Sequence, residues 1–148
     1  MPWIKVWLHF VWSTKDRFPY LKDGVRTRVF EHIRENARSK KIHIDFINGY
    51  VEHVHCLISL ASDQTLETLM QLIKGESSFW INKNQLTSTK FAWQDEYFVA
   101  SVSESNLPSV RRYIARQEAH HSKVPFEQEF DDMLLRAGFQ RFKDRKTV

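Results

Sequence analysis

The sequence predicts an α+β protein of the ferredoxin-like, split βαβ kind: a four-stranded antiparallel sheet with two helices on one face and extra helices after it. Three observations point there. The chain opens on a β-branched and aromatic run, its elements follow the order β-α-β-β-α-β, and the middle strands are joined by a hairpin signal, Asn48-Gly49. At 148 residues, 42% hydrophobic and 14% aromatic, the chain suits one domain, 1–148, with its own core.

Trp3 to Thr14 has almost no turn formers, which favours a well-buried first strand. After Lys15-Asp16-Arg17 and Pro19, the residues Val25, Val29, Phe30, Ile33 and Ala37 recur at helical spacing and predict a helix from about Asp23 to Lys40. Ile42, Ile44 and Phe46 alternate with His43, Asp45 and Ile47 as a second strand. Asn48-Gly49 then supplies a two-residue turn into a third, Tyr50 to Leu60.

Leu66, Leu69, Met70, Ile73, Trp80 and Ile81 form one stripe of a long second helix, with Gly75 and two serines as a weak point or a place of close approach. Phe91-Ala92-Trp93 and then Tyr97 to Ser103 read as a fourth strand entered through Gln94-Asp95-Glu96. Pro108 opens a helix reaching about His121, since a proline in the first turn sacrifices no helical hydrogen bond. A short helix follows Pro125 and ends near Gly138, and residues 139–148, with the basic stretch Arg141 to Lys146, are expected to be frayed.

Net charge +4 and pI near 9.3 favour a polyanionic partner, because a Lys or Arg placed on a phosphate releases a condensed counterion. The longest apolar stretch, Val6 to Trp12, is interrupted by His9 and is too short to span a bilayer, so no membrane partner is expected. A single cysteine, Cys56, forms no intramolecular disulfide and is read as a core residue; the expected location is the cytoplasm. No Gly-rich phosphate loop is present, so no nucleotide cofactor is expected, and no cysteine pair has zinc spacing.

His53-Val54-His55 carries the first chemistry. Alternate strand residues share a face, so the two imidazoles lie about 7 Å apart at the backbone and can converge on one cation. The pattern alone is more often that of two surface or hydrogen-bonded histidines. Tyr113 and Gln117 stand four apart in the later helix, about 5–6 Å between Cβ atoms, and present a phenol and an amide oxygen together. A phenol with a pKa of about 10 needs help to act as a nucleophile at neutral pH, and a divalent ion polarising the attacked phosphate supplies it. The plainer alternative for Tyr113 is a core aromatic.

In this order and on these elements, the two strings resemble the single-tyrosine HUH transposases of the insertion-sequence 200/605 group. The likeness also takes in the Lys15 and Arg17 strand exit, Asn48 to His55, Ile73 to Ser78, Trp93-Gln94, Ser101 to Ser103 and Tyr113 to His121. Where that family often has Gln-x-Gly-Tyr-Gly, this chain has Asp95-Glu96-Tyr97-Phe98. The resemblance implies His53, His55 and Gln117 as ligands of Mg²⁺ or Mn²⁺ and Tyr113, on a C-terminal helix, as the catalytic residue. It further implies attack of Tyr113 on a DNA phosphodiester to give a 5′-phosphotyrosine and a free 3′-OH, on single-stranded DNA with hairpins at the element ends. It also implies a homodimer whose sites combine one subunit's histidines with the other's tyrosine.

Lys74, Arg111, Arg112, Arg116 and His120 are candidate DNA contacts; the plainer readings are a helix contact for Lys74, a solvated basic face for the arginines and a solvated helix end or dipole contact, the favoured one, for His120. His121 shares that reading with His120. Two rival functions stand beside transposition: a domesticated or relaxase-like nicking enzyme, and a DNA-hairpin-binding module without catalysis.

Overall fold

The computed structural model describes residues 2–121 and 123–139. Four strands, β1 (Trp7–Ser13), β2 (His43–Gly49), β3 (His53–Ser59) and β4 (Phe98–Val102), form one sheet in the order β2-β3-β1-β4 with every neighbouring pair antiparallel. Helix α1 (Asp23–Ser39) links β1 to β2. A second helical run links β3 to β4: α2 (Leu66–Met70), a π-helical turn (Gln71–Gly75) and α3 (Glu76–Lys83). Three helices follow the sheet: α4 (Leu107–Ala115), α5 (Gln117–His121) and α6 (Phe126–Arg136). This is the expected α+β, split βαβ architecture. The basic stretch Arg141 to Lys146 lies outside the described residues.

The two faces of the sheet have different roles, and strand parity assigns them. Leu8, Phe10 and Trp12 of β1 and Val54, Cys56 and Ile58 of β3 point to one face, where Val29, Ile33 and Ala37 of α1 and Leu69, Ile73 and Ile81 of the second run complete the main core. Each such side chain contributes about 1.5–3 kcal/mol on burial. The opposite parity, Val11 of β1 with His53, His55 and Leu57 of β3, faces α4 and α6, which bring Leu107, Ile114, Phe126 and Met133 over it. The C-terminal helices thus roof the face that carries the histidine pair.

Several elements differ from the sequence expectation for identifiable reasons. The first strand begins at Trp7, and Trp3, Ile4 and Val6 before it are exposed. In β2 a bulge at Asp45 separates Ile44, paired with Ile58, from Phe46, paired with Leu57. The extra residue flips parity, so Phe46 joins the roofed face while Ile42 and Ile44 stay in the main core.

Asn48-Gly49 is not the turn. Both residues remain in β2, opposite His55 and Val54, and the chain reverses through residues 50–52. Gly49 is there because a Cβ would lie 2.1 Å from the His53 carbonyl oxygen. Phe91 to Trp93 form no strand beyond a bridge between Trp93 and Thr14, and the helix expected from Pro108 to His121 breaks at Arg116.

Candidate active site

The break at Arg116 has a visible cause. Asn48 of β2 donates from its side-chain amide to the carbonyls of Ile114 (2.9 Å) and Ala115 (3.3 Å), satisfying acceptors at the end of α4 so that the chain can turn. Beyond it, the buried guanidinium of Arg26 in α1 donates to the Leu21 carbonyl (2.9 Å) and to Glu118, and lies 5.5 Å from the Tyr50 ring centre. Tyr113 and Gln117 therefore stand on two helices rather than one, yet Gln117 still turns back over the Tyr113 carbonyl at 3.4 Å. The structure brings both to the histidine pair.

His53 and His55 are completely buried, and each ring is held at Nδ1. Glu52 Oε1 lies 2.7 Å from His53 Nδ1, and the Nε2 of His9 lies 2.8 Å from His55 Nδ1. The Phe126 ring stacks on His53 at 4.0 Å between centres. Both Nε2 atoms consequently point into the space under α5 and α6. There His53 Nε2 meets Gln117 Oε1 at 2.9 Å.

In the His53 tautomer that donates from Nδ1 to Glu52, Nε2 offers a lone pair to Gln117 Oε1, and two acceptors 2.9 Å apart then stand as two ligands of one cation do. An imidazole and amide donor set with open positions fits a divalent ion. Neighbouring donors of an octahedral ion at about 2.1 Å stand about 3.0 Å apart, close to the 2.9 Å seen here.

The centre of the site is a residue sequence reasoning missed, Glu129 of α6, 2% exposed. Its Oε1 lies 2.8 Å from His121 Nε2, 3.3 Å from His55 Nε2 and 3.5 Å from His53 Nε2. Its Oε2 accepts from the Tyr113 hydroxyl, takes the Gln117 amide at 3.3 Å and lies 3.4 Å from His120 Nε2. The signal was present in the sequence. Glu129 falls three residues after Phe126 and four before Met133, on the apolar stripe of α6, where a carboxylate is out of place unless it has partners. His9, noted only as a break in an apolar run, was the other miss; its parity with Val11 puts it on the roofed face.

Burial opposes ionisation of Glu129, but hydrogen bonds from His121 and His55 outweigh it and hold the carboxyl well below the usual carboxylate range. Burial also acts against a charged His121, yet its bond to Glu129 raises its pKa; its Nδ1 donates to the Val124 carbonyl at 2.7 Å, so both ring nitrogens serve as donors. Burial lowers His55 to about 3 and His9 to about 4, keeping both neutral. Burial, then the Glu129 hydrogen bond, pushes the Tyr113 phenol above its ordinary value.

The candidate DNA contacts are dispersed. Arg111 pairs with the bulged Asp45 at 2.7 Å, and Lys74 donates to the carbonyls of Gln94 (2.6 Å) and Asp95 (3.1 Å) on the far side of the sheet. Arg112 and Arg116 are exposed on the tyrosine segment, while His120 is drawn into the site. A cavity of about 480 Å³ opens beside Tyr113, lined by His9, Phe98, Ser101, Met133 and Arg136 among others. Among the described residues no helix is long and apolar enough to cross a membrane.

Comparison with known proteins agrees with this fold. A sequence profile described as "Transposase IS200 like" matches residues 3–117. The ISDra2 transposase TnpA of Deinococcus radiodurans is 24% identical over 120 residues, covering 78% of this chain and 84% of that protein. A Deinococcus radiodurans crystal structure described as a transposase superposes with a TM-score of 0.63 at 21% identity, covering 78% of this chain and 93% of the other. A REP-associated tyrosine transposase bound to a REP hairpin gives 0.63 at 17% identity, covering 84% and 73%.

Proposed function

The chain belongs to the family of IS200-like transposases, and from that premise we propose that it cleaves and rejoins single-stranded DNA through a 5′-phosphotyrosine on Tyr113. In this reading His53, His55 and Gln117 hold Mg²⁺ or Mn²⁺, and the DNA is recognised through hairpins at the element ends. The observation that carries it is the convergence of the Tyr113 hydroxyl, Gln117 and the Nε2 atoms of His53 and His55 on one buried point within a single chain.

When bound there, the ion would neutralise charge building on the attacked phosphate. The residues do the rest. Glu52 and His9 orient the two imidazoles, Gln117 turns back over the tyrosine, and Phe126 covers His53 against water. Tyr113 Oη attacks phosphorus as its proton passes along the hydrogen bond to Glu129, the P–O3′ bond breaks, and the departing 3′-oxygen takes a proton from solvent to leave as a 3′-OH. A second strand's 3′-OH then attacks the phosphotyrosine and returns the phenol. One phosphodiester is exchanged for another, and no water or external energy source is consumed.

The cavity beside Tyr113, with Arg136 in its wall and the exposed Arg112 and Arg116 nearby in the chain, supports entry of a strand from the β4 side. Arg111, His120 and Lys74 complete the proposed DNA contacts; Lys74 would act by shaping the Gln94 and Asp95 loop that it holds. The structural likeness to a protein bound to a REP hairpin supports the hairpin part of the reading. The resemblance implied a homodimer sharing its sites, whereas Tyr113 here sits 5.5 Å from the His55 ring of its own chain, which supports assembly within one subunit. A homodimer, if formed, would not be needed to complete the site.

The test is incubation of the protein with Mn²⁺ and labelled single-stranded DNA carrying the palindromes that flank its gene. A covalent adduct on a denaturing gel, lost with Tyr113→Phe, His53→Ala or chelator, is the expected result. Hairpin binding without any adduct would leave a DNA-binding module and overturn the enzymatic reading.

A further inference from the structure

We infer that Glu129 serves as an additional protein ligand of the site's divalent cation through Oε1 while Oε2 positions the Tyr113 hydroxyl, so that α6 closes the metal centre and seats the nucleophile with one carboxylate. The inference rests on the metal-site reading above and goes beyond it: α6 lies outside residues 3–117, the part of the chain matched by the family profile.

The two oxygens of Glu129 face different groups. Oε1 is turned to His55 Nε2 (3.3 Å) and His53 Nε2 (3.5 Å), the two ring nitrogens that face the site while His9 and Glu52 hold the Nδ1 atoms. Oε2 is turned to the Tyr113 hydroxyl and to the Gln117 amide. The ligand atoms of His53, His55 and Glu129 all lie within 4.8 Å of one another, and all three residues are buried. Adjacent donors of an ion with bonds of about 2.1 Å stand about 3.0 Å apart in octahedral geometry, so the contacts seen need to shift by only a few tenths of an ångström.

Chemistry favours the same assignment. Two imidazoles and an amide are a neutral set, better suited to softer metals, and a carboxylate shifts the preference towards Mg²⁺ and Mn²⁺. His121, anchored by the Val124 carbonyl, donates to Oε1 at 2.8 Å and fixes the carboxylate, the supporting arrangement that metal ligands commonly have. A buried carboxylate on the apolar stripe between Phe126 and Met133 is expensive to keep, and a cation repays that cost.

The test is Mn²⁺ and Mg²⁺ binding by calorimetry on the metal-stripped full chain, for wild type, Glu129→Gln and His53→Ala. The expected result is Mn²⁺ bound by wild type, lost in His53→Ala and weakened in Glu129→Gln by more than the roughly 10-fold to 100-fold that loss of a residue only supporting a ligand costs, with Mg²⁺ weakened more. If Glu129→Gln binds as tightly as wild type or tighter while His53→Ala binds nothing, the carboxylate is a competitor of the metal; the inference fails and the metal reading stands. If wild type binds neither ion, the metal reading fails and takes the inference with it. Should Glu129→Gln not fold, wild type labelled at the glutamate side-chain carboxyl with ¹³C and loaded with Mn²⁺ decides the matter by electron–nuclear double resonance. A directly bound carboxylate carbon gives strong coupling, while only the weak coupling of a carbon in Glu52's position overturns the inference.

Discussion

The Tyr113 hydroxyl donates its hydrogen bond to the buried carboxylate of Glu129, sixteen residues further along the chain. A phenol bonded to a carboxylate in a half-buried site keeps its proton, because burial and the neighbouring negative charge both disfavour phenolate. In the metal-free protein Tyr113 is therefore expected to stay protonated through pH 10. Ultraviolet titration of wild type and Tyr113→Phe checks this: the phenolate absorbance of the two should coincide up to pH 10. A deficit in the variant below that pH would show that Tyr113 ionises like an exposed tyrosine.

Because Tyr113 lies beside the histidines of its own chain, the protein should not complement between subunits. Equimolar Tyr113→Phe and His53→Ala proteins, denatured together and refolded, are expected to form no more DNA adduct than the background of either alone. Recovery of about a quarter to a half of wild-type adduct would mean that one subunit's tyrosine serves the other's histidines, the arrangement the resemblance implied.

Acid should unfold the metal-free protein early. His55 and His9 have folded-state pKa values lowered from 6.5 to about 3 and about 4. Between those values and 6.5 the unfolded chain binds more protons than the folded one, so these groups make stability fall as pH falls, by about 1.4 kcal/mol per pH unit for each histidine kept neutral. Glu129, with a lowered pKa, acts in the same direction below its unfolded value. His121, with a raised pKa, acts oppositely; its contribution is present below its unfolded value and lost as pH rises through its folded one. Urea unfolding in chelator should show a loss of several kcal/mol from pH 6.5 to 4.5, and a flat profile there would contradict burial of neutral histidines.

Gly49→Ala tests how closely the hairpin holds the site. The new methyl meets the His53 backbone oxygen at 2.1 Å, a contact only backbone movement relieves. Overpacking of this kind costs about 1–3 kcal/mol, and the movement displaces His53. Both a lower unfolding midpoint and weaker Mn²⁺ binding are expected; unchanged metal affinity would show that strand β2 does not set the His53 position.

The fold was legible because its signals are local: strand parity placed His53 and His55 on one face, and helical spacing placed α1 and the second helical run. What was not legible depends on contacts between distant segments. Nothing in Tyr113 to His121 announces the break at Arg116, which rests on the Asn48 amide of β2 and the Arg26 anchor of α1. Glu129 hides among Glu127, Asp131 and Asp132, which make α6 look acidic and solvated until its place between Phe126 and Met133 is counted. The bulge at Asp45, whose carboxylate pairs with Arg111 of α4, is likewise not announced by the alternation of β2 itself.

The most direct test of Tyr113 as the nucleophile is tryptic mapping of the adduct formed with Mn²⁺ and single-stranded DNA. Trypsin releases residues 113–116 as Tyr-Ile-Ala-Arg, bounded by Arg112 and Arg116. Mass spectrometry after nuclease trimming should find that tetrapeptide carrying a 5′-linked nucleotide on its tyrosine. A nucleotide on any other peptide, or an adduct that survives Tyr113→Phe, would contradict the assignment.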